Sequence, residues 1–109
     1  MKPIVWLGDS LERLRDFPED AKRETGHQLM RVQAGGEPTD WKPMKGIGPG
    51  VSELRVRSGG AFRVVYIARF AHAVYVVHAF QKKSSKTSRM DLELARKRVS
   101  ALMKEAGRS

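Results

Sequence analysis

Three runs rich in β-branched and aromatic residues follow one another in the second half of the chain. They cover residues 51–57, 61–70 and 73–80, and only three and two residues separate them. Connections this short join neighbouring strands as hairpins. The runs therefore predict a three-stranded antiparallel meander, which constrains the fold more than any other feature of the sequence.

The side chains of these runs alternate in character. In the second run Phe62, Val64 and Tyr66 share one face and Arg63 points to the other. This alternation predicts a sheet with one face covered by helices and one wetter face. We expect Tyr66 to belong to the core, because it shares its face with two apolar side chains.

Helical patterns flank the meander. Residues 2–7 predict a short strand, Asp9 and Glu12 form a capping-box pattern for a short helix, and Pro18 suits the first turn of a second helix that reaches Val32. Ser88 predicts the N-cap of a last helix. The predicted fold class is α+β: an N-terminal strand and helical hairpin packed on the three-stranded meander, with a C-terminal helix.

Length and composition limit the chemistry that this chain offers. Its 109 residues favour a single domain over residues 1–109, and no apolar run has the length of a membrane span. The chain has no cysteine, and its three histidines have no metal-ligand spacing. We therefore expect no metal, no cofactor and no membrane partner, and a cytoplasmic location.

Positive charge is concentrated in the second half of the chain. The net charge is +9, yet residues 1–50 hold eight basic and eight acidic side chains, so residues 51–109 carry the whole excess. A one-sided field of this size attracts polyanions. Nucleic acid, a ribosome, an anionic membrane and an acidic protein all fit this charge pattern.

The segment before the meander is predicted to be a long loop. Residues 35–50 contain five glycines and three prolines, and long loops are often functional or mobile. Trp41 and Met44 are expected to hold the loop on the core. Lys42 and Lys45 are candidate contacts to phosphate.

Four segments together resemble a known family. They are residues 42–46 (KPMKG), 50–57 (GVSELRVR), 62–66 (FRVVY) and 77–83 (VHAFQKK). In this order they are similar to the phage-related, HigB-like toxin family of the RelE/ParE superfamily of type II toxin–antitoxin systems. The resemblance covers residues 4–99, and the last segment is its sharper marker.

The resemblance implies a cytoplasmic toxin with a cognate antitoxin, often a helix-turn-helix protein, as its partner. Active relatives cleave messenger RNA, usually on the ribosome and without metal, by attack of a 2′-hydroxyl on the adjacent phosphorus. Two alternatives remain: a ParE-like toxin that inhibits gyrase by binding, and a non-catalytic phage-derived nucleic-acid-binding or regulatory module.

The resemblance also assigns roles to individual residues. Arg63 is expected to clamp the scissile phosphate, Arg55 to hold a non-bridging oxygen, and His78 to carry a proton. Lys83, after the final strand, completes the predicted catalytic set. The predicted RNA-binding residues are Lys82, Phe80, Arg57, Lys45 and Lys42.

Two of these positions leave the mechanism open. His78 is either an acid or base, or a half-buried strand residue with a structural hydrogen bond. A His78 ring within reach of Arg55 and Arg63 would favour cleavage, whereas a ring turned into the core would favour the two alternatives. Glu53 stands where ribosome-dependent relatives often have a lysine, so it serves either as a base or as a charge that weakens phosphate binding.

Overall fold

The computed structural model describes residues 1–107 of the chain. In chain order these residues form β1 (Ile4–Trp6), α1 (Ser10–Arg15), α2 (Glu19–Gln33), β2 (Trp41–Pro43), β3 (Val51–Arg57), β4 (Ala61–Ile67), β5 (Val74–Lys82) and α3 (Arg89–Ala106). The arrangement confirms the predicted α+β class.

The strands form one sheet in the order β1-β5-β4-β3-β2. β4 pairs antiparallel with β3 and β5, which confirms the predicted meander, and β1 pairs parallel with β5 at one edge. The central position of β4 follows from its two short connections. This position places residues 62–66 (FRVVY) on the central strand of the sheet.

Helices cover both faces of this sheet. Leu14 of α1 and Leu29 of α2 pack on the face that contains Phe62 and Val64. Ala95 and Val99 of α3 pack on the opposite face. The prediction of one wetter face is therefore wrong over much of the sheet, because the second face of β4 contains apolar side chains that α3 buries.

The segment predicted as a loop contains a strand. β2 pairs antiparallel with β3, with Trp41 opposite Leu54, and it forms the second edge of the sheet. Met44 packs against the α3 side of the core, as expected. Three residues with a central lysine and a final proline have weak strand propensity, so pairing with β3 decides their conformation.

The N-terminus of α1 differs from its prediction. Asp9 is the N-cap residue, but its side chain makes no capping hydrogen bond. Its carboxylate accepts hydrogen bonds from Arg98 (2.5 Å) and Arg13 (3.0 Å), which lower its pKa to about 2. Gly8, at φ +53°, leaves room for Arg98, since a Cβ atom there would lie 2.5 Å from Cζ of that residue.

The first turn of α3 is capped as the sequence predicts. The Ser88 hydroxyl accepts a hydrogen bond from the backbone N–H of Asp91 (3.1 Å). The helix buries a narrow stripe and keeps charged residues on its outer surface. No helix within residues 1–107 is both long enough and apolar enough to cross a membrane.

Candidate nucleic-acid interface

Five predicted site residues lie in two neighbouring rows across β3, β4 and β5. Arg55 lies opposite Arg63, and Arg63 lies opposite Phe80. Arg57 and Lys82 occupy the next row, on either side of β4. Directly opposed residues share a face of the sheet. The structure therefore brings these five residues to one end of the face that α3 partly covers.

Glu53 joins the two arginines of the first row. Its Oε1 atom lies 3.3 Å from Nε of Arg55 and 3.7 Å from Nε of Arg63. Glu53 is 3% exposed and Arg63 is 4% exposed, whereas the side chain of Arg55 is 24% exposed, so the cluster is buried on the Arg63 side and open to water on the Arg55 side. A buried charge requires a close partner of opposite sign, and here one carboxylate serves two guanidinium groups.

Arg63 is much more buried than the alternation of β4 implies. It is 4% exposed, and its Nη1 donates a hydrogen bond to the Phe62 carbonyl (3.1 Å). Burial lowers the pKa of Arg63, whereas the charge of Glu53 raises it. An arginine nevertheless stays protonated. Removal of Arg63 would therefore disturb the packing of this face, because it also takes a partner from buried Glu53.

A cleft of about 470 Å³ opens beside Glu53. It lies between β2, the segment after β2, the end of β5 and the first half of α3. Its cationic lining residues are Lys42, Lys82, Lys86 and Arg96, and Glu53 lines its wall. Four cations around one carboxylate leave a positive cleft of a size that admits a phosphodiester group.

Two of these cations were not singled out from the sequence. Lys86 lies in the polar linker before α3, and Arg96 points away from the apolar stripe of that helix. The Arg96 Nε also donates a hydrogen bond to the Gly46 carbonyl (3.4 Å), which ties α3 to the segment after β2. Lys45, in that segment, is exposed and does not line the cleft.

The remaining predicted cations lie on neighbouring surfaces. Lys83 follows β5 and lines a smaller cleft of about 260 Å³ together with Lys82 and Lys86. Arg57 is exposed and, with Arg55, lines another cleft at the outer edge of β3. The basic residues therefore form a band around the end of the sheet rather than a single pocket.

His78 lies in the core and not in the cleft. Its residue exposure is 0%, its ring stacks on Phe80 with centroids 5.3 Å apart, and its Nε2 lies 2.7 Å from Oδ1 of Asp91. Burial lowers the pKa of His78, although its hydrogen bond to the Asp91 carboxylate opposes this shift. The neutral ring donates from Nε2 to the carboxylate, while Nδ1 has no partner. His78 thus links β5 to the first turn of α3.

This burial predicts that stability depends on pH. The pKa of His78 is lower in the folded state than in the unfolded chain, so the unfolded state binds the proton more readily. The free energy of unfolding should therefore fall as the pH falls below about 6.5. Thermal unfolding between about pH 7.5 and pH 5.5 measures this dependence, and His78→Gln should flatten it because glutamine does not titrate.

The matched control for this experiment is His27→Gln, since His27 is an exposed residue of α2. This variant should keep the pH dependence of the natural chain. An equally steep dependence in His78→Gln would show that another group causes it.

No group of three or more histidine, aspartate or glutamate residues that could hold a metal ion occurs within residues 1–107. The family model described as "Phage derived protein Gp49-like (DUF891)" matches residues 12–100. This span runs from α1 into α3 and includes every residue of the candidate interface. No curated protein matches the chain.

Proposed function

The chain belongs to the Gp49-like family of phage-derived proteins, a part of the RelE/HigB-like toxin superfamily, and on this premise we propose that it is an RNA-cleaving toxin. The family indicates a toxin-like module. The proposal is narrower: a HigB-like toxin of a type II toxin–antitoxin system, which cleaves messenger RNA without metal. Its partners are the ribosome and a cognate antitoxin of the helix-turn-helix type.

The opposed arginines beside a positive cleft are the observation that supports this activity most. In the proposed reaction the 2′-oxygen of one nucleotide attacks the adjacent phosphorus, and the bond from phosphorus to the 5′-oxygen breaks. The products are a 2′,3′-cyclic phosphate and a 5′-hydroxyl end. Negative charge grows on the phosphorane oxygens, and the planar guanidinium groups of Arg55 and Arg63 suit this geometry.

Proton transfer is the step of the proposed reaction that the positions of the described side chains support least. The 2′-hydroxyl must lose a proton and the leaving 5′-oxygen must gain one. His78, the residue predicted to carry a proton, has no exposed surface and hydrogen-bonds Asp91. For His78 to act on RNA, the first turn of α3 would have to move away from β5.

The position of His78 favours a second candidate function. A toxin of the ParE type acts by binding to gyrase and needs no proton carrier, so a histidine in the core is compatible with it. The two candidates differ in their first effect in cells. Ribonuclease action stops translation and creates new messenger RNA 5′ ends, whereas gyrase inhibition produces DNA breaks and an SOS response.

RNA binding by the basic band predicts a defined dependence on salt. The logarithm of affinity should fall linearly with the logarithm of salt concentration, and each phosphate contact should contribute about −0.7 to the slope. Lys82→Gln should make the slope shallower by about that amount. Fluorescence anisotropy with a single-stranded RNA at several salt concentrations measures both slopes.

Lys104→Gln is the control for this charge change, because Lys104 lies in the last turn of α3 and outside the cleft. It should leave the slope unchanged. Equal slopes for the natural chain and Lys82→Gln would exclude Lys82 as a phosphate contact.

A further inference from the structure

Arg55 and Arg63 form a like-charged pair directly across two strands. Like charges in this position repel each other and destabilise a sheet. In this protein the repulsion is offset by Glu53, whose single oxygen Oε1 approaches both guanidinium groups. The arginine pair thus forms an anion site that is already occupied by the carboxylate of Glu53, a residue of the same strand as Arg55.

Glu53 also stands between the cleft and the arginines. Glu53 is the one carboxylate among the described residues that line the cleft. Neither Arg55 nor Arg63 lines this cleft. A phosphate that enters from the cleft therefore meets Glu53 before it meets the arginines. From this cleft, displacement of Glu53 is the simplest way for the phosphate to reach buried Arg63, whereas Arg55 also lines the cleft at the outer edge of β3.

The contact between Glu53 and Arg63 is incomplete. The buried Nε of Arg63 has no hydrogen-bond partner, and its distance of 3.7 Å to Glu53 is too long for one. A phosphodiester offers two non-bridging oxygens to the guanidinium groups, and inorganic phosphate offers up to four, so either can satisfy donors that one shared carboxylate oxygen leaves free. The site is therefore better suited to a phosphate than to the carboxylate that fills it.

We propose that Glu53 is a tethered stand-in for phosphate, which holds Arg55 and Arg63 together in the free protein and must give way when a phosphate group binds. That this phosphate belongs to RNA rests on the proposed function; the anion site itself does not. Glu53 is then a positioning residue with an autoinhibitory effect. Removing its charge should open the site to anions.

The test compares Glu53→Gln with Glu93→Gln. Glu93 is an exposed residue of α3, so both variants lose one negative charge and only the first changes the arginine pair. Thermal unfolding is followed as inorganic phosphate replaces chloride at constant ionic strength. The melting temperature of Glu53→Gln should rise as phosphate is added, because the phosphate anion then offsets the repulsion between Arg55 and Arg63. The natural chain and Glu93→Gln should show little or none.

A second arm uses a 2′-O-methyl RNA, which binds but cannot be cleaved because it lacks the attacking hydroxyl. Glu53→Gln should bind this RNA about tenfold more tightly than Glu93→Gln, since a like charge no longer opposes the phosphate. If Glu53 instead acts as the base in cleavage, Glu53→Gln will bind no more tightly and will cleave natural RNA more slowly. That result would overturn the inference.

Glu53→Asp covers the case in which Glu53→Gln does not fold. Aspartate keeps the charge but is one methylene shorter, so it cannot approach both arginines as glutamate does. Its response to phosphate should exceed that of the natural chain, and an equal response would contradict the inference. If phosphate raises the melting temperature of Glu53→Gln but the natural chain cleaves no RNA, the anion site is supported and the ribonuclease is rejected. If the natural chain cleaves RNA but phosphate does not raise the melting temperature of Glu53→Gln, the ribonuclease is supported and the anion site is rejected.

Discussion

We expect Arg63→Lys to lower the rate of RNA cleavage about 100-fold or more. Lysine keeps the positive charge and a contact to Glu53, but it lacks the planar fork that holds two phosphate oxygens at once. The loss should therefore appear mainly in the transition state, when charge develops on those oxygens. Single-turnover cleavage of an RNA that saturates the protein separates this effect from weaker binding.

The control for this variant is Arg15→Lys, an exposed position of α1 on the other side of the sheet. Both variants should keep the circular dichroism spectrum and cooperative unfolding of the natural chain. Alanine is the less informative substitution at Arg63, since it also leaves buried Glu53 with Arg55 as its remaining partner. Full cleavage by folded Arg63→Lys would remove Arg63 from the catalytic site.

Arg98→Met should cost about 2 kcal/mol of stability and lower the melting temperature by about 10 °C. The Arg98 Nη1 donates to the buried Val77 carbonyl (2.9 Å), and Nη2 donates to Asp9, so one side chain connects α3 to β5 and α1. Methionine retains the aliphatic part but leaves the carbonyl without a donor. Asp9 is partly exposed and can recover water, so most of the loss arises at Val77.

Lys97→Met provides the comparison on the same helix, because Lys97 is exposed and the substitution also replaces a long cationic side chain by methionine. Urea or thermal unfolding should place this variant within about 0.5 kcal/mol of the natural chain. If Arg98→Met were as stable as Lys97→Met, water or another donor would have to satisfy the Val77 carbonyl.

The meander could be predicted because two local signals agree within a short span. β3, β4 and β5 combine alternating apolar residues with very short connections, and neither signal depends on distant parts of the chain. β2 escaped prediction for the opposite reason. Its three residues become a strand through pairing with β3, a tertiary interaction that propensity and periodicity do not contain.

In the candidate site, too, the features that depend on local pattern could be predicted and those that depend on tertiary packing could not. The alternation of β3 and β4 is compatible with Arg55 and Arg63 on one face, and the structure adds that the two residues lie directly opposite each other. The burial of Arg63 and Glu53 was not predictable, because it depends on how the rest of the chain packs around that end of the sheet. For the same reason Lys86 and Arg96 resemble ordinary surface residues until the fold brings α3 and the linker before it to the cleft.

His78 shows how strand position and side-chain environment differ. Its place on the same face as Phe80 follows from their spacing, and the stacked rings confirm it. Its hydrogen bond to Asp91 joins residues thirteen positions apart on two elements. That contact requires the angle at which α3 crosses β5, for which the sequence carries no local signal.

The most direct test of the proposed ribonuclease is to induce the isolated chain in cells and to map messenger RNA 5′ ends while translation is followed. Induction of Arg63→Lys to the same protein level provides the matched control. The account predicts that translation stops first and that new 5′-hydroxyl ends appear with the natural chain and not with Arg63→Lys. DNA breaks and an SOS response without new messenger RNA ends would contradict it and identify a toxin that acts by binding.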